Sequence, residues 1–129
     1  MVNDALDLVE KEFHPDHSHR YITGLSQGGC GTFELAAHCS WRFAAAAPIC
    51  GFTDRLDLGA DFQGLPVWAF HGLEDDVVPP QQSELAIQQI LEAGGFAKLT
   101  LLAGVDHNSW DYAYQESELA KWLLSHHLV

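Results

Sequence analysis

The chain has 129 residues, 47% of them apolar, which suffices for one domain with a real core and is far from the composition of a disordered segment. Six Lys and Arg stand against eighteen Asp and Glu, a formal net charge of -12, and such a surface repels nucleic-acid phosphates and anionic membranes, so neither is an expected partner. No apolar run reaches the roughly 18 residues that span a bilayer, and the first residues, MVNDALDLVEKEF, are acidic and amphipathic rather than signal-like, which favours the cytoplasm without fixing it.

Apolar residues at Val2, Ala5, Leu6, Val9 and Phe13 recur at helical spacing, and the helix should stop at Phe13 or His14 because Pro15 disfavours helical geometry before it. The polar loop PDHSH follows. His14, His17 and His19 match no standard metal-site spacing and read as solvated. Tyr21 to Leu25 reads as a buried strand, Gln27 to about His38 as a helix, and Ala44 to Cys50 as a second buried strand ending at Gly51. An irregular acidic connection, Thr53 to Gly64, leads to a third strand, Pro66 to Phe70, closed by His71-Gly72. After the acidic loop LEDDVVPP, Pro80 suits the first turn of a helix with Leu85, Ile87, Ile90 and Leu91 on its core face and Gly94-Gly95 at its end. Lys98 to Leu102 is the fourth strand. A last helix from about Tyr114 to His126 carries Leu119, Trp122 and Leu123 as its apolar stripe. Cys30, Cys39 and Cys50 show no C-x-x-C spacing and read as small buried residues. Trp41, Trp68, Trp110 and Trp122 read mostly as core or cleft lining. No repeat, low-complexity segment or linker divides residues 1–129, which make a single domain.

Apolar strands alternating with helices imply an α/β fold, a parallel sheet covered on both faces. In such sheets chemistry gathers beyond the carboxyl ends of the strands. Ser26 follows the first strand, the Glu74-Asp75-Asp76 cluster the third, and His107 the fourth. Ser26 lies in Gly24-Leu25-Ser26-Gln27-Gly28, a G-x-S-x-G arrangement at a strand-to-helix corner that lifts a hydroxyl clear of the sheet. A serine hydroxyl is a poor nucleophile at neutral pH and needs a neutral imidazole as base and a carboxylate to orient it. The chain supplies them in the order Ser26, Asp75, His107, and the Gln27 backbone N–H, at the start of the helix, is aimed where an oxyanion would form. Blander readings stand beside these: a turn serine, solvated loop carboxylates, a histidine capping a helix or packing beside Trp110. His71, ending a strand, reads as a local hydrogen-bonding residue rather than a second base.

The segments RYITGLSQGGCGTFELAAHCSWRFAAAAPICG, PVWAFHGLEDDVVP and GVDHNSWDYAY resemble the three catalytic segments of the α/β-hydrolase superfamily, in particular its phospholipase/carboxylesterase-like serine esterases and the related "predicted peptidases". The family pattern H-G-x-x-D-x-x-V-P is met by His71 to Pro79 and puts the acid of the triad on Asp75. The resemblance implies a catalytic triad of Ser26, Asp75 and His107, no metal or cofactor, and hydrolysis of small carboxylic esters through an acyl-enzyme. Thioester and peptide cleavage use the same machinery.

This sequence departs from the family in two ways. Asp106 stands where the family commonly has glycine before the base, and the resemblance covers only the last four of about eight strands, a truncated α/β-hydrolase core. Absent with the other strands is the loop that supplies a second oxyanion donor, so activity is expected to be weak. The first strand becomes an exposed edge, from which a homodimer or other homo-oligomer is expected. The alternative is a half-domain without useful activity alone, serving in assembly or complementation.

Overall fold

A computed structural model describes residues 2–55 and 57–128 of the chain. In chain order it contains α1 (Val2–Phe13), β1 (Tyr21–Leu25), α2 (Gln27–His38), β2 (Ala45–Ile49), β3 (Val67–Gly72), α3 (Gln81–Glu92), β4 (Ala97–Leu102) and α4 (Leu119–Leu124). The four strands form one parallel sheet in the order β1-β2-β3-β4, with Tyr21 beside Ala45 and Val67 beside Ala97.

The period of two along β3 divides its side chains between two cores. Val67 and Ala69 join Phe33 and Ala36 of α2 and Ile87 and Ile90 of α3 on one face. Trp68 and Phe70 join Ala113, Leu119 and the half-buried Trp122 on the other. β2 and β3 are buried along their whole length, whereas the two edges, β1 and β4, are only half-buried. Coverage of both faces is thus complete for the central pair alone. α2 crosses β2 closely enough that a β-carbon on Gly29 would meet the Gly51 Cα at 2.7 Å.

Five features go beyond or correct what the sequence suggests. The stripe of α1 is largely exposed at Val2, Val9 and Phe13. That helix is held by its polar side instead, where the buried Glu10 pairs with Arg20 and with Arg42, at 2.6 Å from the latter. The connection from Thr53 to Gly64 is not wholly irregular: Leu58–Phe62 make a 3₁₀ turn that buries Leu58 and Phe62 completely. On α3 the buried stripe is Ser83, Ala86, Ile87 and Ile90, which leaves Leu85 and Leu91 exposed on its flanks. The last helix is divided. A π-helical turn, Tyr112–Glu116, ends at Ser117, whose hydroxyl donates to the Ala113 carbonyl and accepts the Leu119 N–H, so a side chain takes over backbone bonds and restarts the helix as α4. Trp41 is exposed rather than core.

Candidate active site

β1 runs into α2 through a tight corner in which Gly24 has no room for a side chain. A β-carbon on Gly24 would meet the Gly28 carbonyl oxygen at 2.4 Å. Ser26 turns the chain at φ 55° and ψ -115°, in the region a non-glycine residue enters only when its surroundings compel it. Two backbone bonds supply that compulsion: Ser26 N–H donates to the Ile49 carbonyl at 2.9 Å, and Cys30 N–H donates to the Ser26 carbonyl at 3.1 Å.

The Ser26 hydroxyl lies 2.9 Å from His107 Nε2, and His107 Nδ1 lies 2.8 Å from Asp75 Oδ2. A carboxylate only accepts, so the imidazole proton belongs on Nδ1, and Nε2 is left to accept from the serine. Asp75 Oδ1 accepts the N–H groups of Val77 and Val78, both at 2.9 Å. Burial pushes the Asp75 carboxyl up, but the hydrogen bonds from His107, Val78 and Val77 outweigh it and hold the group below its ordinary value. The His107 ring meets Trp110 edge-on at 5.6 Å between centroids. The structure thus brings Ser26, Asp75 and His107 together beyond the ends of β1, β3 and β4, while Glu74 and Asp76 face solvent. Gln27 opens α2, where the first N–H groups of a helix have no partner within it.

Of the other singled-out groups, His19 pairs with Asp16 at 2.8 Å. Hydrogen bonds from Ser18, with a further one from His19, hold Asp16 down to about 2. Among the described residues no group of three or more His, Cys, Asp and Glu is placed to hold a metal. Cys39 and Cys50 are buried and Cys30 is half-buried. Burial pushes the Cys50 thiol up, so it stays a neutral neighbour of the Ser26 corner rather than a rival nucleophile. His71 is fully buried and hydrogen-bonded through both ring nitrogens, to Ser83 Oγ and to the Val78 carbonyl. Ser83 was not singled out in the sequence. Its signal is positional: a polar residue at the first place of the stripe Ser83, Ala86, Ile87, Ile90.

No family model matches the sequence. The crystal structure of a thermostable esterase superposes on 98% of this chain with a TM-score of 0.92 and 32% identity, and the chain spans 36% of that one. The bifunctional acetylxylan esterase/xylanase XynS20E of Neocallimastix patriciarum is 30% identical over 83 residues, 64% of this chain and 12% of that protein. Acyl-protein thioesterase 1 homolog 2 of Dictyostelium discoideum is 26% identical over 100 residues, 74% of this chain and 45% of its own length. The fold is that of an α/β-hydrolase in a four-stranded form. The chain is similar to these esterases and this thioesterase, and it spans less than half the length of each of the three.

Proposed function

We propose that the chain hydrolyses carboxylic esters through an acyl-enzyme on Ser26. His107 Nε2 takes the hydroxyl proton as Ser26 Oγ attacks the ester carbonyl, and gives it to the departing alkoxide as the tetrahedral intermediate collapses. Water then repeats the sequence on the acyl-serine, with His107 again the base, and releases the acid. Asp75 stays ionised throughout and stabilises the imidazolium. The Gln27 N–H, backed by the α2 dipole, supports the oxyanion. The observation that carries this reading is the chain of two hydrogen bonds, 2.9 and 2.8 Å, from Ser26 through His107 to Asp75. No step calls for a metal. A fluorophosphonate probe should label wild type at Ser26 alone, and wild type should turn over p-nitrophenyl acetate. Ser26→Ala should abolish both. Labelling or turnover that survives in Ser26→Ala refutes the proposal.

A second reading, an assembly or complementation module, is favoured by the open edge of β1 beside the exposed apolar residues of α1. Wild type that neither labels nor turns over alone, yet does both with a complementing chain, would select it.

A further inference from the structure

Beside Asp75 lies a second imidazole that the proposed reaction does not use. His71, one residue before the end of β3, is wholly buried. Its Nε2 is 2.7 Å from the Val78 carbonyl oxygen and 3.2 Å from Asp75 Oδ2, and its Nδ1 is 2.7 Å from Ser83 Oγ in the first turn of α3. Both neighbours of Nε2 are acceptors, so Nε2 carries a proton, and in the neutral ring Nδ1 accepts from the Ser83 hydroxyl. Val78 is thereby gripped at both ends of one residue: its carbonyl accepts from His71, and its N–H donates to Asp75 Oδ1. An apolar residue of similar size would fill the space. It would leave the Val78 carbonyl and the Ser83 hydroxyl buried without partners.

We propose that His71, held on its other side by Ser83, is a positioning residue that fixes the Asp75–Val78 loop and so the direction in which Asp75 Oδ2 meets the His107 N–H. The catalytic meaning of this rests on the serine-hydrolase reading above, but the placement itself does not.

The isosteres separate donor from shape. The amide nitrogen of His71→Gln reaches where Nε2 was, whereas that of His71→Asn reaches only as far as Nδ1. In the full chain, His71→Asn should lower kcat for p-nitrophenyl acetate by about 10- to 100-fold, the range that losing an orienting partner costs metal-bound imidazoles, with KM nearly unchanged. His71→Gln should retain most of kcat. The downfield proton resonance of His107 Nδ1–H, read by NMR, should persist in wild type and His71→Gln and broaden in His71→Asn. Should His71→Asn fail to fold, Ser83→Ala carries the test, with the same resonance broadened and kcat reduced several-fold. A folded His71→Asn or Ser83→Ala with an unchanged resonance overturns the proposal, as does equal loss in His71→Gln and His71→Asn. If wild type proves inactive while the resonance still responds to His71→Asn, the placement stands and only the hydrolase reading fails.

Discussion

A β-carbon on Gly72 would meet the carbonyl oxygen of Asp106 at 2.2 Å, with that of Val105 at 2.3 Å. The end of β3 is therefore in bare backbone contact with the segment that carries His107, and no flexible side chain lies between them to give way. The Glu74 N–H donates to the Val105 carbonyl at 2.9 Å, so the loops bearing the acid and the base are tied to each other.

Gly72→Ala should therefore act on the site more than on the fold. Overpacking of this kind costs about 1–3 kcal/mol, which a urea melt would register. The Val105–Asp106 backbone must yield, and a displacement near 1 Å at the base costs about 10²-fold in turnover. Labelling of Ser26 by a fluorophosphonate should slow accordingly. A variant that melts early but labels at the wild-type rate would show that the contact only supports the sheet.

Asp75→Asn should cost far more than Asp76→Asn. Asp75 holds the His107 N–H and both loop N–H groups, whereas Asp76 faces solvent. Losing the orienting carboxylate of a triad lowers turnover by about 10⁴ even where the geometry survives. Asp76 acts only through long-range charge, so its loss should stay within a few-fold. Comparable kcat values for the two variants would move the acid to another residue.

Acid should weaken the fold through the same carboxyl. Asp75 is held below its ordinary value in the folded chain, so between the two values the unfolded chain binds the extra proton. Its stabilising contribution is complete above the unfolded value, about 3.9 for an aspartate, and is lost as pH falls through the lower folded one. Urea midpoints measured for wild type and Asp75→Asn should differ most near neutrality and converge below about pH 4. A difference that stays constant across the acid limb would contradict the assignment.

Much of this was legible because few local signals competed. Gly24, Ser26 and Gly28 announce the corner, the central strands are apolar throughout, and the order of serine, acid and histidine places all three beyond the strand ends. What escaped was decided by tertiary partners. Glu10 turned α1 by pairing with two arginines, which no helical periodicity encodes. Leu85 and Leu91 suited a core face equally well, but packing selected the rows through Ser83 and Ala86. Ser117 reads as an ordinary helical residue until its hydroxyl takes both the Ala113 carbonyl and the Leu119 N–H. The sequence marks His71 as a local hydrogen-bonding residue, and the fold makes its partners Ser83 and the acid loop.

The open edge bears on solution state. Among the described residues β1 pairs with β2 alone, Leu25 on it is 38% exposed, and α1 beside it presents Val9 and Phe13 at 49% and 71% exposure. Unpaired strand backbone next to apolar surface invites pairing. We expect a two-fold homodimer with two β1 strands antiparallel, which joins two sheets of four strands into one. Each copy carries a formal charge of -12, so association should strengthen with salt. Light scattering at micromolar concentration should report the dimer for wild type and a monomer for Val9→Glu combined with Phe13→Glu. A well-folded wild-type monomer at every salt concentration would end this expectation.

Substrate range should follow from what stands beside Ser26. The Gln27 N–H stands at the start of α2, and the segments that carry the resemblance leave a second oxyanion donor unassigned. A missing oxyanion donor is worth about 3 kcal/mol, or 10² to 10³ in turnover. Activated esters suffer least from such a deficit, because their leaving groups depart with little help and the tetrahedral intermediate demands less stabilisation. An acyl chain gains about 0.8 kcal/mol for each methylene it buries, and a chain lying along a four-stranded sheet with an open β1 edge leaves much of its length in water. The isolated chain should therefore turn over p-nitrophenyl acetate and butyrate ahead of the palmitate, and unactivated amides least of all. Catalytic efficiency on a long-chain ester or a peptide at or above about 10⁴ M⁻¹s⁻¹, within the usual enzyme range, would mean that a second donor and an acyl wall are supplied by another copy of the chain.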